Sequence, residues 1–152
     1  MNIINIRDNR DYLKEYTELC ITTWGEPSSY EEFCNRVNKK MERMLSPDYD
    51  KLIAALGLVD NETLIGFISL FKKDGEERQD LTPWYATMYV KKEFRGKGYS
   101  KLLNDTLLKE AKKLGYNRVY LKSDLNNYYE KFGAEYLEDL KSGEKLYSID
   151  LQ

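Results

Sequence analysis

The sequence predicts a mixed α/β (α+β) fold, a central sheet with helices on both faces. Apolar runs of strand length alternate with segments whose apolar residues recur every three or four positions, in the order β-α-α-β-β-β-α-β-α-β-β. The 152 residues suit a single domain, 1–152, with a real core, and no repeat, low-complexity segment or linker interrupts them. Apolar residues make up 41% and charged residues 33%, the balance of a soluble globular chain.

Residues 2–7 read as a short strand, and Asp8 stands where a helix cap would. Tyr12, Leu13, Tyr16, Leu19, Cys20 and Thr23 then define one helix face, which "TWGEPSS" interrupts. Ser29 and Glu32 are spaced as a capping box ahead of a second stripe, Tyr30, Phe33, Val37, Met41 and Met44, with Pro47 beyond its end. "KLIAALGLV" and "TLIGFISLF", joined by "DNE", read as a hairpin of buried strands. After the polar "KKDGEERQD" comes the strand "WYATMYV". Leu103, Leu107, Ala111 and Leu114 line a third helix, with Gly115 at its C′ position. "RVYLKS" is a strand and "NNYYEKF" a short helix. "AEYLEDL" and "KLYSIDL" form a last hairpin turning at "KSGE".

Composition excludes several function classes. The formal net charge is −2, against bulk nucleic-acid binding, which needs a surplus of Lys and Arg. No apolar run reaches membrane-spanning length, and "MNIINIRDNRDY" lacks a signal peptide's apolar stretch, so a cytoplasmic location is expected. Cys20 and Cys34 lie in apolar-periodic segments and form no CxxC, which fits buried small hydrophobes. The chain has no histidine, which removes Ser-His-Asp triads, Cys-His pairs and HExxH sites and argues against a catalytic zinc site. Proton transfer falls to Tyr, Asp, Glu, Lys, Cys, a chain terminus or water.

The chemistry-bearing stretch is "FRGKGYSKLL", residues 94–103. A flexible cationic loop opens directly onto a helix N-terminus, whose first N–H groups have no backbone partners, and that arrangement receives an anion, often a phosphate. The Walker pattern GxxxxGK[ST] is absent. A GxGxxG fingerprint fails because Lys101 stands where its third glycine would be, and no βαβ unit precedes it. The pattern [QR]-x-x-G-x-[GA] fits Arg95 to Gly98, with Ser100 at the last position.

With that loop the chain resembles the GNAT superfamily of CoA-dependent N-acyltransferases over nearly its whole length. "YVKKEFRGKGYSKLL" is similar to the superfamily's CoA-pyrophosphate motif, and "YYEKFGAEY" to its YEKxGF signature. Ser100 replaces the usual Gly or Ala, and Ala134 the usual aromatic residue. The asparagine that often precedes the signature has no counterpart at the usual spacing; Asn126 and Asn127 lie near, and Asn126 is carried as a cofactor-binding candidate.

The resemblance implies a mostly antiparallel mixed sheet, acetyl-CoA as co-substrate without a metal, and an amine acceptor. A small-molecule primary amine is the expected acceptor, with a peptide or protein amine, or a non-catalytic acyl-CoA sensor, as alternatives. A homodimer is a further expectation. Backbone N–H groups from Arg95, Gly96, Lys97, Gly98, Tyr99 and Ser100 would converge on the diphosphate, with Lys101 adding charge. A backbone N–H at Met88, Tyr89 or Val90 would polarise the thioester carbonyl, and that strand end would pair with the pantetheine amides. Tyr129 aligns with the superfamily's acid for the departing sulfur, and Tyr128 beside it is packing. No carboxylate lies on "WYATMYV". Glu26 between the first helices and Asp80 ahead of the strand are the base candidates, with Glu76 and Glu77 nearby and a water relay as the other route.

Overall fold

The computed structural model describes residues 1–151. Among them it contains seven strands and three α-helices. Strand β1 (Asn2–Asn5) leads through a 3₁₀ turn to helix α1 (Arg10–Cys20), a π turn (Ile21–Gly25) and helix α2 (Tyr30–Leu45). Strands β2 (Leu52–Asp60), β3 (Thr63–Phe71) and β4 (Trp84–Val90) follow, then helix α3 (Tyr99–Lys113). Strand β5 (Arg118–Ser123) is separated by a 3₁₀ turn (Tyr129–Phe132) from strands β6 (Glu135–Asp139) and β7 (Lys145–Asp150). No helix among the described residues is long and apolar enough to cross a membrane.

The strands form one sheet in the order β1-β2-β3-β4-β5-β7-β6. Every neighbouring pair is antiparallel except β4 with β5, so the mixed, mostly antiparallel sheet is as expected. Strand β3 is apolar on both faces because both are covered. Leu64 and Phe67 pack under α1 and α2 with Leu13, Tyr16 and Met41, while Ile65 and Ile68 pack under α3 with Leu103, Leu107 and Ala111. Asn61 and Glu62 both have positive φ (49° and 64°), which closes the β2–β3 hairpin with a twist matched to its strands.

Local chemistry differs from the sequence expectations at five places. The cap of α1 is Asn9, not Asp8: the Asn9 side chain accepts from the N–H groups of Asp11 and Tyr12 at 3.0 and 3.1 Å, and Asp8 lies in the preceding turn. The capping box at α2 is half formed. Ser29 accepts from the Glu32 N–H at 3.1 Å, but the Glu32 carboxylate takes the Ser28 hydroxyl instead. Thr23 is exposed because α1 ends at Cys20, and Tyr30, at the first position of α2, is 81% exposed. Leu114 is 52% exposed because α3 has already stopped: Tyr116 N–H reaches the Ala111 carbonyl and Gly115 N–H reaches Lys112, a Schellman closure that turns the chain away. Finally, "NNYYEKF" forms a single 3₁₀ turn rather than a short helix, since Gly133 with φ 89° stops it after Phe132.

Strand β4 departs from regularity in two ways that open a site. Phe67 pairs with Tyr89 and Ser69 with Ala86, so Thr87 and Met88 both stand opposite Ile68. This is a bulge, and Thr87 sits in it at φ 52°, a conformation a β-branched residue rarely adopts. On its other edge β4 pairs with β5 at one position, Trp84 with Tyr120. Gly66 on β3 allows the end of β4 to come close: a Cβ there would lie 2.5 Å from the Tyr89 carbonyl oxygen and 3.1 Å from Val90 Cα. Gly66→Ala should therefore displace the Tyr89–Val90 segment and destabilise the fold by about 1–3 kcal/mol, as overpacking does. A urea midpoint equal to that of the parent protein would refute this.

Candidate active site

Where β4 and β5 part, two cavities form and meet. The first, of about 680 Å³, runs from the end of β4 to the loop before α3. The second, of about 920 Å³, lies between α1, α2, the bulge of β4 and the end of β5. Met88, Leu125 and Tyr129 line both.

The first cavity ends on the glycine loop. Gly96 and Gly98 have φ of 78° and 84°, and Gly98 immediately precedes α3. No side chain caps α3, so its first N–H groups face outward. The helix dipole and the two loop glycines, which lack Cβ atoms, make this end fit a diphosphate. Arg95, Gly96, Gly98, Tyr99, Ser100 and Lys101 line the cavity, as do Met88, Tyr89 and Val90. Lys97 is exposed and does not, and Asn126 lies off both cavities, where its side-chain oxygen accepts from Lys145 Nζ at 3.1 Å. Arg95 has a second task. Its Nε donates to the Val90 carbonyl at 2.8 Å and its guanidinium lies 5.6 Å from the centre of the Tyr89 ring, which ties the loop to the strand. Lys101 is paired along the helix with Asp105 at 2.7 Å. Lys131, the lysine of the YYEKFGAEY stretch, adds a cation to this cavity, and Phe94 and Phe132 add apolar wall.

Tyr129 stands at the junction within an aromatic group. Its ring meets Tyr128 at 4.8 Å and Tyr85 at 6.0 Å, both edge to face. Burial first, and then the neighbouring Tyr128, push its hydroxyl up to about 12, so it stays protonated throughout the neutral range.

The carboxylates are arranged differently from the sequence expectation. Glu26 is exposed just after the π turn and does not line the second cavity, although Trp24 and Gly25 of that turn do. Asp80 is held away by Arg78, through contacts of 3.0 and 2.9 Å, and those bonds lower its affinity for a proton. Glu77 accepts from the backbone of Lys141 and Ser142 at 2.7 and 3.2 Å. The structure brings Asp74 to the cavity instead. It is partly buried, 3.9 Å from Lys122 Nζ, and burial raises its carboxyl above the ordinary range against the pull of that lysine. Its signal in the sequence is position: it is the first carboxylate past the fully buried strand β3.

The model of the acetyltransferase (GNAT) family matches residues 10–134. No protein of curated function matches the chain in sequence. Among solved structures, an aminoglycoside 6′-N-acetyltransferase complexed with coenzyme A shares 19% identity over 100% of this chain and 98% of its own, with a TM-score of 0.75. The aminoglycoside 6′-N-acetyltransferase from Enterococcus faecium shares 19% identity over the same proportions, with a TM-score of 0.73. The PaiA N-acetyltransferase from Thermoplasma acidophilum, in complex with coenzyme A, shares 21% identity over 99% of both chains, with a TM-score of 0.63. With a family model spanning most of its length and these structures sharing its fold, the chain belongs to the acetyltransferase (GNAT) family.

Proposed function

We propose that this protein transfers the acetyl group of acetyl-CoA to a small-molecule primary amine by direct attack of the amine on the thioester. The observation that carries the proposal is the meeting of the two cavities at Met88 and Tyr129, one ending on a glycine loop and the other bearing a partly buried carboxylate. The second cavity, about 920 Å³, is of small-molecule size. The aminoglycoside N-acetyltransferases of the same fold support a small acceptor.

Acetyl-CoA supplies an activated acyl carbonyl and a thiol leaving group. The N–H groups at the start of α3 hold the diphosphate, with Arg95, Lys101 and Lys131 at its margin. Met88, at the bulge and without a partner in the β3 register, would turn its backbone N–H toward the carbonyl oxygen, where negative charge develops. Asp74 takes the proton the amine must lose before attack, directly or through one water. Tyr129 gives its proton to the departing sulfur. Lys97 and Asn126 have no part in this arrangement, and neither Glu26 nor Asp80 acts as the base.

An assay of CoA-thiol release across small amines and peptides tests the reading. Release with small amines is expected, and release confined to peptides would overturn the small-molecule acceptor. Gly98→Asp places a carboxylate at the first N–H groups of α3. That repels the diphosphate, so on protein whose fold is checked by thermal melting, calorimetry should show at least tenfold weaker acetyl-CoA binding, about 1.4 kcal/mol.

Tyr129→Phe should lower kcat about 10²-fold with little change in acetyl-CoA affinity, while Tyr128→Phe is nearly silent. Full turnover by Tyr129→Phe, where chemistry limits the rate, would remove its role.

Asp74 must be ionised to accept a proton. Because its pKa is raised, the acid limb of the rate should lie above the ordinary aspartate value of about 3.9. Activity should be lost as pH falls through that limb. Asp74→Asn should abolish the limb and cost about 10² in kcat. An unaltered pH profile in Asp74→Asn, or a lost limb in Glu26→Gln or Asp80→Asn, would show that the base is wrongly named.

A further inference from the structure

The second cavity carries a charge pattern that its proposed amine alone does not explain. Arg36, Lys39, Lys40 and Arg43 of α2 follow one another at spacings of three, one and three residues, so they share one helix face, and all four line the cavity. Like charges three and four residues apart destabilise a helix, so the stripe opposes the stability of α2 in the empty protein. The helix dipole accounts only for Arg43, in the last turn. Arg36 is engaged, donating to the Gly25 carbonyl at 2.7 Å and lying 3.5 Å from Glu32. Lys39, Lys40 and Arg43 have no carboxylate within ion-pair distance among the described residues. Lys40 lies 5.4 Å from the centre of the Tyr16 ring, which holds it at the cavity edge. The carboxylates of the cavity stand on other elements: Asp74 beyond β3, Asp124 beyond β5 and Glu144 ahead of β7.

We infer that the acceptor is an amine that also bears an anionic group, a carboxylate or a phosphate, with the anion received by Lys39, Lys40 and Arg43 and the amine directed to Asp74. This rests on the acetyltransfer proposed above and names its substrate class. The four α2 cations and the cavity carboxylates stand on different elements, so an acceptor with both charges would be oriented by them, amine toward the junction at Tyr129 and acid toward α2. A polyamine would meet the cationic wall with like charge. The stripe is not placed to serve the diphosphate, because none of its four residues lines the cavity that ends on the glycine loop.

The test uses ω-amino carboxylates, ω-amino phosphonates, simple alkylamines and α,ω-diamines, matched in length from propyl to hexyl. Binding to the CoA-saturated protein is measured by calorimetry, and thiol release from acetyl-CoA is measured separately. The amino acids or amino phosphonates should bind at least tenfold more tightly than the diamines, and the tighter of the two names the acid group. The charge reversals Lys39→Glu and Arg43→Glu lie on exposed positions, and their folding is checked by thermal melting. Each should weaken the anionic amines at least tenfold and strengthen the diamines, with CoA affinity held. Diamines that bind the parent protein as well as the anionic amines do, or a preference unmoved by both reversals, would overturn the inference. Anion-dependent binding without thiol release would uphold it and overturn the acetyltransfer reading. Thiol release indifferent to the acid would uphold acetyltransfer and overturn this inference.

Discussion

One residue pair, Trp84 with Tyr120, joins the two halves of the sheet, and the site depends on its being one. The Tyr120 N–H also reaches the Pro83 carbonyl at 3.0 Å, and the Trp84 indole donates to Leu81 at 2.9 Å. Leu140 and Leu146 pack against Trp84 in a small third core, so the join is held by burial as well as by backbone bonds. Past it, the β4 bulge and the course of β5 carry the strands apart. A parallel ladder continued to Val90 would close the space that Met88, Leu125 and Tyr129 now share. The opening is therefore built by ending a sheet interaction early, with the long antiparallel ladders on either side supplying the stiffness.

The glycine loop follows a similar trade. Helix α3 begins at Gly98 without a side-chain cap, which is unfavourable by roughly a few tenths of a kcal/mol relative to a Ser or Asp cap. Its stability comes from elsewhere: a fully buried face of Leu103, Leu107 and Ala111, and a Schellman closure at Gly115 and Tyr116. Arg95 anchors the loop to Val90, which keeps the open N–H groups at a fixed position relative to the strand end. The terminus proposed to hold the anion is thus free of side-chain caps because the rest of the helix does not need it to have them.

How much of this was legible in the sequence depends on the range of the interactions involved. The α3 stripe, the β2–β3 hairpin and the glycine loop are written in residues a few positions apart, and they were readable. Asn9 and Asp8 are both competent caps; the choice between them came from a 3₁₀ turn that took Asp8. The π turn at Ile21–Gly25 has no composition of its own, yet it puts Trp24 and Gly25 on the cavity and leaves Glu26 outside. The placement of β7 between β5 and β6 is a long-range pairing that no local pattern records. Beyond its position after β3, nothing in the sequence singles out Asp74 among the four carboxylates of its polar stretch, because only the fold decides which faces inward and which, like Asp80, pairs with an arginine. The α2 cations could be seen as a face from their spacing. That the face looks into a cavity required the packing of α2 against α1.

The two tryptophans fall on opposite sides of this architecture. Trp84 is 1% exposed, at the join of the sheet, and Trp24 is 50% exposed, lining the second cavity with its ring edge-on to Tyr89 at 6.4 Å. The protein thus contains two optical reporters, one shielded and one in contact with solvent at the second cavity. A small quencher such as acrylamide reaches Trp24 and not Trp84, so its effect on emission isolates the indole of the π turn. An occupant of the cavity that shields Trp24 would register as lost quenching, in an unlabelled protein and without turnover.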